Sequence, residues 1–170
     1  VCYEGIQDKF VETVRPMIEK LRQGPALGHG LFDVGAMVMP RQLEIIQELV
    51  DDAVAKGAKL LVGGKPNKKW PGNFYQPTLL VGIDKTMRIA NEEVFGPVMA
   101  IMTVPNNDDE KAIEMVNDCD FGLGSAVFSN NQKRATRIGD RIRAGMTTVN
   151  DFGVNYLVQS LPFGGIKESG

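Results

Sequence analysis

Two stretches of the sequence set chemically useful side chains beside residues that bend the backbone. The first is NEEVFGPV, residues 91–98, where Glu92 and Glu93 precede Phe95 and a Gly96-Pro97 turn. An ionised carboxylate only accepts hydrogen bonds and can take both hydroxyls of a vicinal diol such as a ribose, while a neighbouring ring can pack on a flat heterocycle. The alternative is a solvated acidic turn with Phe95 in the core. Adjacent side chains in an extended or turning segment point apart, so the two acids need not share a site.

The second stretch is QSLPFGGIKESG, residues 159–170. Gly164 and Gly165 permit a tight turn and close backbone approach, and Pro162 stiffens the entry to it. Phe163 either lines an apolar pocket or plugs the core. The stretch has the spacing of neither a phosphate-cradling GxxxxGK loop nor a GxGxxG fingerprint. Cys2 is the obvious candidate nucleophile. A reactive thiol needs a nearby cation, a helix N-terminus or a base, and VCYEGIQDKF supplies none, so Cys2 reads as a packed small residue. Cys119 closes an amphipathic helix and reads as structural. His29 lies between Gly28 and Gly30 in a loop and is expected to be exposed.

The bulk properties narrow the classes of partner. A 170-residue chain fits one domain with a sizeable core. Nineteen Lys and Arg against 21 Asp and Glu give no field that would steer it onto nucleic acid or an anionic membrane, which leaves a small molecule as the expected partner. Two distant cysteines and one histidine provide neither a disulfide framework nor a metal site. No apolar run approaches the roughly 20 residues of a membrane span, and the start has no basic-then-apolar leader.

The elements that must position these residues are legible as periodic segments. Ile6, Phe10, Val14, Met17, Ile18 and Leu21 fall on one helical face, with Pro16 expected to kink or split the helix. The glycine- and proline-rich stretch from residue 24 to 40 reads as a loop that wraps the body. A second helix is predicted from Gln42 to Lys56, with Leu43, Ile46, Leu49, Val50, Ala53 and Val54 inward and Gly57 as its left-handed stop. AKLLVGG follows as a short buried strand, then turn chemistry, then the extended FYQPTLLVGI. Thereafter VMAIMTVP, SAVFS and MTTVN read as strands alternating with two helices. Asn107 with Glu110 and Ser129 with Gln132 have capping-box spacing at the starts of those helices, and Gly145 ends the second. This alternation predicts an α/β fold, a largely parallel sheet with helices on both faces.

EEVFGPV, followed about 70 residues later by LPFGGIKESG, resembles two signature motifs of the aldehyde dehydrogenase superfamily. FYQPTLLVGIDKTMRIANEEVFGPV, DFGLGSAVFSNN, AGMTTVN and IIQELVDDAVAKGAKLLVGGK resemble further family segments in order and spacing, so the resemblance covers essentially the whole chain. NDFGVNYLVQSLPFGG is most similar to the plant and fungal branch sometimes called family 22. The resemblance implies an enzyme that oxidises an aldehyde to a carboxylic acid with NAD or NADP through a cysteine thiohemiacetal and thioester. It gives Glu93 the nicotinamide-ribose hydroxyls, Phe95 the positioning of the nicotinamide ring, and Phe163 a place near the substrate entrance. It makes the partner a small-molecule aldehyde and the parent protein a homo-oligomer.

The resemblance also implies that residues 1–170 are a partial catalytic domain, with the Rossmann cofactor domain and the oligomerisation strand outside it. The family's nucleophilic cysteine, general-base glutamate and oxyanion asparagine would all fall before Val1. Cys2 lies too close to the first helix to serve as the nucleophile. No catalytic residue is therefore expected here, and the 170 residues alone are expected to lack dehydrogenase activity. Two other readings remain open at this point: a non-catalytic binding or scaffold protein of the same fold, and a CoA-acylating or phosphate-linked relative.

Overall fold

A computed structural model describes residues 1–27 and 29–170; Gly28, beside His29, lies outside them. Where length suggested one domain, the chain divides into two compact units, Val1–Asn106 and Asn107–Gly170.

The first unit contains β1 (Cys2–Tyr3), α1 (Glu4–Glu19), α2 (Pro40–Ala55), β2 (Lys59–Val62), β3 (Thr78–Ile83) and β4 (Val98–Val104). Its sheet runs β1-β4-β3-β2, parallel at β1/β4 and β4/β3 and antiparallel at β2/β3. Side chains alternate across the pleat. Leu79 and Ile101 pack with Ile18 of α1 on one face, while Leu80 packs with Ile46, Leu49, Val50 and Ala53 of α2 on the other. The central strands thus carry a helix on each face, which is why they read as continuous apolar runs.

Several local expectations shift. α1 continues through Pro16 as one helix, because the missing N–H falls on exposed backbone one turn from the helix end. Its buried side is Ile18 with half-buried Val11 and Val14, whereas Ile6, Phe10 and Met17 are exposed. α2 begins at Pro40, whose fixed φ suits the first helical position, and Val54 turns outward. Gly57 stops it at φ 104°, and Ala58 N–H donates to the Ala53 carbonyl at 2.9 Å. β2 is a half-exposed edge strand rather than a buried one, since only β3 pairs with it.

Tyr75 is completely buried in the α2 core, yet its hydroxyl meets no hydrogen-bond partner among the described residues. Burial, with Asp51 nearby, pushes the phenol far above its usual range. An unsatisfied buried hydroxyl costs about 1 kcal/mol or more, so Tyr75→Phe is expected to stabilise the chain by about that amount. The check is a higher urea midpoint at unchanged slope. A lower midpoint would show that the hydroxyl is engaged.

The second unit contains α3 (Asp109–Asn117), β5 (Phe121–Gly122), β6 (Gly124–Val127), α4 (Gln132–Gly139), β7 (Met146–Val149), α5 (Val154–Leu157) and β8 (Ile166–Lys167). β6 and β7 pair in parallel from Gly124↔Met146 to Val127↔Val149, with α4 as the crossover, and β5 pairs antiparallel with β8. The helix caps fall one or two residues from the positions predicted. Asp108 caps α3, accepting from Glu110 N at 2.8 Å, because Asn107 is held at a left-handed φ of 53°. Asn131 caps α4, accepting from Arg134 N at 3.0 Å, and Ser129 Oγ instead accepts from Asn131 N. Arg134 and Arg137 both donate to the Asp109 carboxylate and tie the two helices together.

Candidate functional site

The structure separates the two adjacent acids. A 3₁₀ turn, Arg88–Ala90, brings the Arg88 guanidinium onto Glu92, with Nε donating to Oε1 at 2.6 Å and Nη2 to Oε2 at 3.0 Å. This two-pronged pairing holds the Glu92 carboxyl below the usual carboxylate range. The turn is itself pinned. Arg88 N donates to Asp52 Oδ2 of α2 at 2.9 Å, and Asn91 Nδ2 donates to the Lys85 and Met87 carbonyls at 3.0 and 2.9 Å. Glu93 is exposed and enters no hydrogen bond or ion pair among the described residues. One carboxylate holds the loop, and the other is free to accept from a ligand.

Phe95 is not in the core. Its ring is 65% exposed and borders an apolar hollow of about 510 Å³ with Met37, Val38, Met39, Gln42, Val94 and Gly96. Gly96 suits the close approach of the turn to α2: a Cβ there would lie 3.0 Å from Ile46 side-chain atoms and 3.2 Å from Met37 Sδ, tighter than ordinary contact. The Pro97 carbonyl accepts from Thr78 N at 2.8 Å, which fixes the turn to the start of β3. Among the described residues Gln42 is the only polar side chain lining this hollow, and sequence reading missed it. Its one signal is a place in the first turn of α2, directly after the glycine-rich loop. An exposed ring and an amide line this apolar hollow, and the unengaged carboxylate of Glu93 lies two residues before the ring in the chain; such groups suit a ligand with a flat ring and a hydroxylated sugar.

In the second unit the glycine-rich stretch folds back on the sheet. Gly145 allows this: a Cβ on it would lie 1.8 Å from the Gly164 carbonyl oxygen. Ser169 Oγ accepts from Gly122 N at 3.1 Å, and the Asp120 carbonyl accepts from Glu168 N at 2.9 Å. Lys167, at a left-handed φ of 57°, donates its ammonium to the carbonyl of Asn117, the last residue of α3, at 3.0 Å and to that of Cys119 just after it at 2.7 Å. This cation favours the negative end of the helix. Phe163 is more than half exposed, so it does not plug the core. Its ring lies 5.5 Å from that of Tyr156, which lies 6.0 Å from that of Phe152. Sequence reading does not single out Phe152 or Tyr156, because one aromatic pair four residues apart at a helix of four residues is too short to show a helical period.

The remaining candidates take structural places. Cys2 is buried in β1 and burial pushes its thiol up, away from a reactive thiolate. Cys119 is half-buried and His29 is exposed. Among the described residues no cluster of His, Cys, Asp or Glu is arranged to hold a metal ion, and no helix is long and apolar enough to cross a membrane.

Parallel strands covered on both faces by helices define an α/β protein. The sequence profile of the aldehyde dehydrogenase family matches residues 1–170, and the chain belongs to that family. It is 37% identical to a putative aldehyde dehydrogenase-like protein of Schizosaccharomyces pombe, over all of this chain and 32% of that protein. Its fold superposes on betaine aldehyde dehydrogenase of Staphylococcus aureus in complex with NAD+ with a TM-score of 0.86 at 30% identity, over 98% of this chain and 33% of that one. A succinic semialdehyde dehydrogenase of Streptococcus pyogenes, in complex with NADP+, gives 0.88 at 31% identity, over 99% of this chain and 36% of that one. The chain thus spans about a third of the length of these proteins.

Proposed function

We propose that the protein carrying this chain oxidises an aldehyde to a carboxylic acid with NAD+ or NADP+, through a cysteine thiohemiacetal and thioester formed outside these 170 residues. The observation that carries the reading is the pairing of the unengaged Glu93 with the exposed Phe95, on a turn whose other carboxylate is locked to Arg88. The bound nicotinamide supplies the acceptor for the hydride. Glu93 would hold the cofactor by accepting from its two ribose hydroxyls, and Phe95 would pack beside the nicotinamide ring. Gln42 offers an amide at the edge of the same hollow. Glu93 is a positioner rather than a base, since a hydride acceptor needs only to be held within contact distance. Phe163 forms part of the substrate wall in the second unit.

The affinity with family members complexed to NAD+ and to NADP+ supports both cofactors equally. The fungal relative supports the plant and fungal branch read from residues 150–165. The Rossmann domain and the oligomerisation strand are proposed to belong to other parts of a homo-oligomeric parent. The buried Cys2 supports the expectation that the 170 residues alone do not turn over an aldehyde.

The reading is tested by incubating the intact protein with an aldehyde and either cofactor, and measuring reduced cofactor and carboxylic acid together. One equivalent of each per aldehyde is expected. No reduction with any aldehyde would favour a non-catalytic binding protein, and product formed only with added CoA would identify an acylating relative.

A further inference from the structure

Eight methionines occur in the chain, and three of them, Met17, Met39 and Met99, are exposed. Of these three, only Met39 borders the apolar hollow of about 510 Å³ that Phe95 also lines. Its backbone is held in place: Met39 enters α2 in an extended conformation, φ −146° and ψ 157°, and its carbonyl accepts from Gln42 N at 3.1 Å. Met39 therefore stays at the rim of the hollow, 51% exposed. Met37 lines the same hollow but is half-buried, its Sδ 3.2 Å from where a Cβ on Gly96 would lie. One thioether is packed against the acid-aromatic turn, and the other is open to solvent.

An open thioether is the one accessible group among the lining residues that a mild oxidant attacks. The sulfur lone pair takes one oxygen of a peroxide: the O–O bond breaks, an S=O bond forms and water leaves, so that sulfur gives up two electrons and the peroxide gains them. A polar, chiral sulfoxide then stands where an apolar, polarisable side chain offered contact to a ring. A flat ring packed on the hollow would bury the sulfoxide oxygen without supplying a donor to it, and burying an unpaired polar oxygen weakens binding by about 10-fold. If Gln42 turned its amide onto that oxygen, the ligand would lose the amide instead. A bound ligand in turn takes Met39 out of water and away from the oxidant.

We propose that Met39 is a reversible oxidation site at the cofactor hollow. A peroxide converts it to the sulfoxide in the absence of cofactor, the sulfoxide weakens cofactor binding, and bound cofactor protects the thioether. The proposal rests on the reading above, in which this hollow takes the nicotinamide end of NAD+ or NADP+.

The test treats the intact protein with hydrogen peroxide, with and without saturating NAD+ or NADP+, at a dose that leaves the buried Met87 unoxidised, and locates sulfoxide by peptide mass mapping. Met39 is expected to oxidise about 10-fold more slowly with cofactor bound, and Met17 at the same rate in both conditions. Cofactor affinity, measured by titration calorimetry without aldehyde, is expected to fall about 10-fold after treatment and to recover with methionine sulfoxide reductases. Met39→Leu, compared with its own untreated form, is expected to lose no affinity to peroxide, which separates Met39 from any cysteine elsewhere in the parent. Equal oxidation of Met39 with and without cofactor, in a protein that binds the cofactor, overturns the inference and leaves the reading standing. An equal loss of affinity in Met39→Leu also overturns it. Failure of the untreated protein to bind either cofactor overturns both this inference and the reading on which it rests.

Discussion

Replacing Gly145 by alanine is expected to destabilise the second unit by about 3 kcal/mol or more and to release the glycine-rich stretch from the sheet. The added methyl would lie 1.8 Å from the Gly164 carbonyl oxygen, 2.8 Å from its carbonyl carbon and 3.0 Å from Gly165 Cα. All three are backbone atoms, so no rotamer change relieves the overlap and one segment must move. Movement of the 164–165 backbone would strain the bonds from Gly122 to Ser169, from Glu168 to Asp120 and from Lys167 to the carbonyls of Asn117 and Cys119. Ordinary domains are stable by only about 5–15 kcal/mol, so the loss is a large fraction of the total. Denaturant unfolding followed with hydrogen exchange at residues 164–170 measures it. Wild-type stability in Gly145→Ala would mean that the 164–165 backbone does not sit against Gly145 as described.

Replacing Glu93 by glutamine in the intact protein is expected to slow hydride transfer by about 10- to 100-fold, the loss that follows from removing a charged acceptor worth about 1.5–3 kcal/mol. Glutamine keeps the size and one acceptor oxygen but not the charge, so the ribose hydroxyls lose their charge-assisted bonds. The neighbouring Glu92 cannot take over, since Arg88 holds both of its oxygens. Single-turnover formation of reduced cofactor isolates the step from product release. Glu92→Gln is the informative comparison: it is expected to act through stability of the Arg88 turn and not through the isolated hydride step. Unchanged single-turnover hydride transfer in Glu93→Gln would remove the ribose role from Glu93.

Much of this chain is settled by local chemistry that its sequence displays. The positive φ required of Gly57 comes from the geometry of a helix end, and α2 stops there. The unbroken apolar runs of β3 and β4 demand cover on both faces, and α1 and α2 provide it. The order of motifs identified the family, while the residue types of the acid-aromatic turn fitted a diol and a flat ring as well as a solvated turn, and only the family resemblance gave Glu93 and Phe95 their proposed roles. The caps were less legible. Asn107 and Asp108 can both cap a helix, and the choice fell to Asp108 because the chain enters α3 through two consecutive left-handed residues, Asn106 and Asn107.

Only tertiary structure decided which of two equivalent local choices was used. α1 carries two neighbouring apolar stripes, and the register of β1 on β4 sets Val11, Val14 and Ile18 on the sheet while Ile6, Phe10 and Met17 stay exposed. Glu92 and Glu93 are chemically identical, and what distinguishes them is Arg88, brought within 2.6 Å of the first by a turn pinned to Asp52 of α2. The ring contacts of Phe152, Tyr156 and Phe163 bring together residues up to 11 positions apart, and the Gly164 backbone that follows Phe163 lies against Gly145, about 20 residues earlier. Residue type and periodicity are properties of the nearest few positions, so the sequence by itself determined the elements, the family and the chemical repertoire. Exposure, pairing and approach depend on groups distant along the chain, so the packed structure determined which members of that repertoire are free to act.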